Sequence, residues 1–416
     1  MTGEGAVAGD GAISGAATGG ASVRARQGPL VLWWTPVAER GGVSRHVLDV
    51  ATHGIPGVRL IVLCPEGPLA ADLRARGRAV VTGPVGVADG APTAIRAVRR
   101  VLARLRSDAL HTHLAFADIA GTAAVAGLRN GRGQRICLVS TEHGIAGDPG
   151  LYQRSVRTAA TKAAVHRARL HRTDAVIAVS ESTREQILAR WGSGAPITVV
   201  RNAVDAPASP PAPDARGAER AVRGAEGAIQ GADSVAADAR GTVREGGLRV
   251  LSLARLAPEK RIDRVLEAFA LVHAEHPEAR LTIAGEGPEE AALRARVRGL
   301  GLQDAVTMPG HLDAAAVMAA HDVVVQLSAW ENLSYTLLDA VAHGLGVVAT
   351  DVGGNREIVP ARCLVDVDGE ADDAHAVARA IAVQGLDLEA RPRREETVGV
   401  EVMCRRIADV YTEVLP

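Results

Sequence analysis

Thirteen short apolar runs alternate with amphipathic stretches along this chain, and that alternation limits the fold more than any other feature. The first seven read "PLVLWW", "VRLIVLC", "RAVVTG", "DALHTHL", "RICLVST", "DAVIAVS" and "PITVVRN". Six more follow: "LRVLSLA", "ARLTIAG", "AVTMPG", "DVVVQLS", "GVVATDV" and "RCLVDV". Helix candidates lie between them, among them 43–53, 91–106, 150–173 and 182–191, the last opened by a capping box from Ser182 to Glu185. Buried runs bounded by turns and separated by helices predict parallel sheets covered on both faces.

Residues 206–247 separate the two sets. They carry no aromatic residue, little apolar periodicity and much Ala, Gly and Pro. Such a segment buries too little apolar surface to offset its ordering entropy, so it reads as a disordered linker, with a weak helix around "RGAERAVRGAE" as the alternative. The chain then divides into a disordered tail over 1–27, one doubly wound α/β domain over 28–205, the linker over 206–247, a second such domain over 248–395 and a last helix within 396–416.

Aromatic residues make up only 2% of the chain, so Ala, Val and Leu must build the cores. A formal net charge of −1 leaves no electrostatic footprint for nucleic acid. Cys64, Cys137, Cys363 and Cys404 are isolated, three of them in strand-like runs. They read as buried thiols in a reducing compartment. The first 27 residues lack the apolar centre of a signal peptide, and no run approaches a membrane span. The expectation is a cytoplasmic protein.

In open parallel sheets, ligands bind beyond the carboxyl ends of the strands, so the residues after each run are the candidates. Gly41 and Gly42 precede a helix, where backbone N–H groups can approach an anion; a tight turn is the competing reading. Arg255 and Lys260 flank a proline turn, an arrangement that suits a diphosphate or a solvated helix start. Gly285 and Glu286 form a glycine-rich turn into another helix. In "AWENLSYTLLDAVAHG" the spacing predicts a helix from near Ser334 to before Gly344. Its free N–H groups favour phosphate. Asp339 lies one turn in, where an acid can accept from ribose hydroxyls, and Glu331 lies outside, where a sugar beyond the diphosphate would sit. Eight residues along a helix span about 12 Å, so the two acids cannot share a proton. Together they fit a nucleotide diphosphate sugar; a surface acid and a cap is the competing reading.

The constellation "LARLAPEKRIDRVLEAF", "LTIAGEGPEEAAL", "VTMPGHL" and "SAWENLSYTLLDAVAHGLGVVATDVGGNREIV" resembles the donor-binding half of the family 4 retaining glycosyltransferases, which have the GT-B fold. The first half resembles the same family through "RGGVSRHVLDVA", "HTHLAFADIAG", "VSTEHGIAGD", "AVIAVSESTREQIL" and "ITVVRNAVD". The resemblance implies two domains facing across a cleft, with the C-terminal helix crossing back to the first. It implies Arg255 and Lys260 on the donor diphosphate, Glu331 on the donor sugar, Gly42 beside the phosphate and His143 near the sugar hydroxyls. Asn332, Leu333 and Ser334 complete the donor wall. Asp339 stands where the family usually has a glutamate on ribose, one methylene longer. "ENLS" and "GLGVV" are further departures, and none of the three removes a charged group.

The implied reaction moves a hexose from a nucleotide diphosphate sugar to a glycan, glycolipid or small-molecule acceptor, with retention and without metal or other cofactor. His113 is the acceptor-side candidate. Two metal readings are set aside: the acid pair Asp366 and Asp368 lies far from the other motifs, and His111 and His113 have no third ligand nearby in sequence and read as one inward, one outward. Six cations between 149 and 173 (Arg154, Arg157, Lys162, Arg167, Arg169, Arg172) form either a solvated face or a surface for anionic lipid at the inner face of the membrane. A nucleotide-sugar epimerase and a non-catalytic nucleotide-sugar binder are the rival readings.

Overall fold

The computed structural model describes residues 28–145, 156–207, 247–367, 373–393 and 398–415. The expected tail over 1–27 and the linker stretch 208–246 lie outside them.

All thirteen apolar runs become strands. The first sheet holds β1 (Leu30–Trp34), β2 (Arg59–Cys64), β3 (Val80–Thr82), β4 (Ala109–His113), β5 (Cys137–Glu142), β6 (Ala175–Ala178) and β7 (Ile197–Val199) in the order β3-β2-β1-β4-β5-β6-β7. The second holds β8 (Arg249–Leu253), β9 (Arg280–Ala284), β10 (Val306–Gly310), β11 (Val323–Gln326), β12 (Gly346–Thr350) and β13 (Leu364–Val365) in the order β10-β9-β8-β11-β12-β13. Every neighbouring pair is parallel. In both sheets the order reverses beside the first strand, which opens a crevice at the carboxyl ends.

The helices of the first domain are α1 (Gly42–His53), α2 (Pro68–Ala75), α3 (Ala91–Leu105), α4 (Ala115–Val125), α5 (Val156–Leu170) and α6 (Glu181–Trp191). Those of the second are α7 (Ile262–Glu275), α8 (Glu290–Gly299), α9 (Ala314–Ala319), α10 (Tyr335–His343) and α11 (Asp373–Leu386), and α12 (Val400–Val414) ends the described chain. Strand side chains alternate between faces, and β1 shows the consequence. Val31 and Trp33 pack with Val47 and Val50 of α1, while Leu32 and Trp34 pack with Val98 and Leu102 of α3. As the resemblance implied, α12 returns to the first domain. Its Met403, Ile407 and Tyr411 join the core under β1. Each such buried side chain contributes roughly 1.5–3 kcal/mol, so this last helix is a structural part of the first domain. All four cysteines are buried and free.

Three local expectations are corrected. Helix α6 is capped by Ser180, whose extended backbone lets Oγ accept from the Thr183 N–H at 3.0 Å. Ser182 is already in the first turn. His111 and His113 do not face opposite ways. Residues two apart on a strand share a face, and the two buried rings stack at 4.8 Å with 3° between planes. The segment 149–173 is not a uniform basic face either. Arg169 is buried and pairs with Glu142 of β5 at 2.6 Å and Asp118 of α4 at 3.6 Å. Those acids come from elsewhere in the chain, so local charge counting could not show them. Lys162, Arg167 and Arg172 are exposed, and Arg154 lies outside the described residues. Among the described residues, no helix is long and apolar enough to cross a membrane.

Candidate active site

The loop after β5 meets the loop after β11, and the first turns of α1 meet α10, so the carboxyl ends of the two sheets face one another. Glycine makes this approach possible. A Cβ on Gly144 (φ +141°) would lie 1.7 Å from the Asn332 side chain. A Cβ on Gly353 (φ +56°) would lie 1.8 Å from the Glu331 carbonyl oxygen, and the Gly354 N–H donates to the Asn332 carbonyl at 2.5 Å. The "VGGN" turn therefore clamps the backbone of Glu331 and Asn332, while Gly144 closes on Asn332 from the other domain.

Glu331 forms an ion pair with Lys260 and accepts from Ser328 Oγ at 2.7 Å. Both partners are mostly buried, at 21% exposure for Lys260 and 13% for Glu331. Arg255 is 62% exposed and pairs with Glu259, four residues on. Ser334 caps α10, its Oγ accepting from the Leu337 N–H and donating to Gln326 Oε1 at 2.8 Å. Gly344 ends the helix in the left-handed conformation expected of it. The buried Leu333 offers its carbonyl to Asn202 Nδ2 of the first domain at 3.1 Å.

Asp339 does not stand open as the sequence suggested. Both its oxygens are taken by the Arg45 guanidinium of α1, with Nη2 2.9 Å from Oδ1. Arg45 also lies 5.0 Å over the Tyr335 ring and 3.3 Å from Asp49. This pair crosses the cleft, as do the hydrogen bonds from the Glu181 and Ser182 N–H groups to Glu357, both 3.0 Å. In the sequence, the only pointer to Arg45 is its place in the turn of helix after Gly41 and Gly42.

The expected glycines differ in what holds them. Gly285 (φ +141°) is required by the protein itself, since a Cβ would fall 1.9 Å from the Ala254 carbonyl. Glu286 beside it is exposed. At Gly41 the backbone is extended and a Cβ would meet nothing within 4 Å; at Gly42 the nearest atom is the Tyr335 ring at 3.8 Å. Neither position needs glycine for packing or conformation.

Four histidines gather behind this loop. His143 Nε2 lies 2.9 Å from His113 Nδ1, His46 of α1 lies edge-on to His143, and His111 stacks on His113. Burial pushes all four well below the ordinary imidazole range, His46 to about 4, so they are neutral. Sequence spacing had offered only two of them. The others arrive from α1 and from the end of β5. Glu142, next to His143, shares Arg169 with Asp118, and burial pushes its carboxyl up to about 7.

Two family descriptions match this chain: "Glycosyltransferase Family 4" over residues 40–206 and "Glycosyl transferases group 1" over 236–383. Together they account for more than half of it. The chain belongs to glycosyltransferase family 4. Among solved structures, this glycosyltransferase resembles Anabaena Alr3699/HepE in complex with UDP and glucose, with TM-score 0.73, 19% identity, and 92% of this chain and 100% of that one covered. It also resembles the sucrose-phosphate synthase of Thermosynechococcus elongatus, with TM-score 0.69, 19% identity, and 92% and 98% covered. At this identity the likeness establishes the GT-B fold. Among curated proteins, a phosphatidylinositol N-acetylglucosaminyltransferase component from Arabidopsis thaliana is 26% identical over 69% of this chain. The GtfA component of the UDP-N-acetylglucosamine–peptide N-acetylglucosaminyltransferase from Streptococcus gordonii is 36% identical over 26% of it. The matched stretches span 57% and 22% of those two proteins.

Proposed function

We propose that the protein is a retaining hexosyltransferase. It moves a sugar from a nucleoside diphosphate donor to a hydroxyl of a glycan, glycolipid or small-molecule acceptor, and no metal ion takes part. The observation that carries this reading is the meeting of three elements. Lys260 and Glu331 lie beside the capped start of α10, Gly144, next to His143, closes on Asn332 from the facing domain, and the Gly41–Gly42 turn carries glycines the protein does not itself require.

In the proposed reaction the bond from the anomeric carbon to the diphosphate breaks, and negative charge grows on the departing phosphate. Arg255, Lys260 and backbone N–H groups at Gly42 and Ser334 stabilise that charge. The acceptor oxygen bonds to the anomeric carbon on the same face, and its proton passes to the departing phosphate oxygen. His143 is neutral, so it serves as a hydrogen-bond partner for a sugar hydroxyl and not as a cationic acid. Glu331 faces the donor sugar. Asp339 and Arg45 present a carboxylate and a guanidinium where the ribose would lie.

UDP-glucose and UDP-N-acetylglucosamine are the donors to test first. HepE has been crystallised with UDP and UDP-glucose, and the relatives include N-acetylglucosaminyl transferases and an α-monoglucosyldiacylglycerol synthase. Each donor is incubated with candidate acceptors, with and without chelator, and the product is read by NMR. An α-linked product from an α-linked donor, formed no more slowly with chelator, is the expected result. An inverted product, a strict need for added magnesium or manganese, or an epimerised donor without transfer would overturn it.

A further inference from the structure

His46, His113 and His143 come from α1, β4 and the loop after β5, and one nitrogen of each lies within 4.8 Å of one nitrogen of each of the others. Their ring centroids are 4.9, 5.2 and 5.9 Å apart. A tetrahedral ion held at roughly 2.0–2.1 Å by three imidazoles keeps the ring centroids about 5 Å apart, so small side-chain rotations would bring the three nitrogens onto one ion.

The hydrogen bonds around the cluster also fix the state of His46. Asn202 donates from Nδ2 to the Leu333 carbonyl at 3.1 Å, so its amide oxygen is the atom that faces His46 Nδ1 at 3.2 Å. An amide oxygen only accepts, and the Tyr335 hydroxyl lies farther off at 3.5 Å, so Nδ1 carries the proton toward Asn202 and Nε2 is a bare lone pair. That Nε2 is fully buried and has no hydrogen-bond partner. His113 Nδ1 and His143 Nε2, 2.9 Å apart, share one proton, which an ion bound between them would displace. An Nδ1–H held by a carbonyl oxygen, with Nε2 free, is the arrangement that orients a metal-binding histidine. The fourth ring is excluded from the set. Trp33 Nε1 donates to Tyr411 Oη at 2.6 Å, so the tyrosine hydroxyl donates in turn to His111 Nδ1 at 2.5 Å. His111 Nε2 is committed to Thr141 Oγ1 at 2.7 Å.

We propose that His46, His113 and His143 form a three-histidine site for a zinc-type divalent ion, with Asn202 as the outer partner that orients His46. A fourth position remains for water, which such an ion can bind as hydroxide near neutral pH, reducing the charge placed in the interior. The ion would occupy His143, so it would act as a brake on transfer and not as a catalyst. That consequence rests on the role proposed above for His143; the binding itself does not.

The test uses the full chain stripped of metal and titrated with Co²⁺, whose visible absorption reports tetrahedral coordination, followed by displacement with Zn²⁺. One ion per chain with a tetrahedral spectrum is expected. His46→Ala should abolish the spectrum. Asn202→Ala, which leaves all three ligands in place, should weaken binding about 10- to 100-fold. His53→Ala, on the same helix but paired with Asp205 at the surface, should leave binding unchanged. If His46→Ala does not fold, Asn202→Ala decides alone. Absence of a tetrahedral spectrum in the wild-type chain, or binding that persists unweakened in Asn202→Ala, would overturn the site.

Discussion

Replacing Lys260 with alanine separates two roles that this lysine holds at once. In the structure it neutralises Glu331, which also accepts from the Ser328 hydroxyl. In the proposed reaction it neutralises the departing diphosphate. Exposed ion pairs are worth roughly 0–1 kcal/mol and breaking buried ones costs about 3–5. A pair this far from solvent lies between, so Lys260→Ala should destabilise the second domain by about 2 kcal/mol, or roughly 5 °C in melting temperature. Loss of an electrostatic contact made mainly in the transition state costs about 3 kcal/mol, a fall in kcat of roughly a hundredfold or more. Glu331→Gln added to Lys260→Ala removes the orphaned charge. It should restore most of the melting temperature and none of the turnover. Steady-state kinetics and calorimetry on the two single variants and the double variant check this. Near-wild-type turnover in Lys260→Ala, or recovery of kcat in the double variant, would show that Lys260 acts only through Glu331 and would remove it from the phosphate site.

Arg255→Ala should lower kcat strongly with little change in melting, since Arg255 is largely exposed; Arg255→Lys should recover only part, because a point charge cannot replace a bidentate fork. Asp339→Ala should weaken donor binding measured by calorimetry, and Asp339→Glu should preserve or improve it; equal donor affinity in both would leave Asp339 as a partner of Arg45 alone. Tyr411→Phe removes both the donor to His111 and the acceptor for Trp33, and should cost about 1–3 kcal/mol in denaturant unfolding. For pH, His46 and His166 sit at about 4 and His111, His113 and His143 are also lowered, against an ordinary 6.5 in the unfolded chain. The unfolded state therefore binds more protons between about pH 4 and 6.5, so stability is full above 6.5 and is lost as pH falls. Glu142 works in the opposite sense between 4.5 and about 7, and Asp49 and Asp118, also raised by burial, share its sign. Five histidines outweigh them, and melting temperature should fall steeply below pH 6; a flat profile from pH 7 to 5 would refute the neutral buried cluster.

The strands and the last helix are legible in the sequence because each is a local pattern: apolar runs of the right length, a serine before α10, a glycine after it. The cations, acids and glycines of the cleft are legible too, since all of them follow strands. What stays hidden is pairing across long separations. Arg45 meets Asp339, Glu357 reaches the start of α6, and Arg169 leaves the solvent for Glu142 and Asp118. No spacing rule connects such residues, because only the tertiary packing of helices, sheets and the two domains decides which of them meet. The histidine cluster escapes for a more avoidable reason. Strand geometry already requires His111 and His113 to share a face.

The pairings also change what the cleft presents to a donor. Read as a sequence, it offers Arg255 and Lys260 as two uncompensated cations. In the structure Arg255 has Glu259, Lys260 has Glu331 and Arg45 has Asp339, so these three pairs bring no net charge to the site. A nucleotide diphosphate entering it is not drawn by a large positive potential and must share cations already engaged. Long-range steering of the donor should therefore be weak, and the donor association rate should depend only slightly on ionic strength. The same pairs place discrimination late. As charge grows on the diphosphate, Lys260 and Arg255 gain more by turning to it than by staying with Glu331 and Glu259, so their contribution falls on kcat more than on donor affinity. A donor association rate that drops steeply between low and physiological salt would contradict this arrangement and favour cations free of their acids in solution.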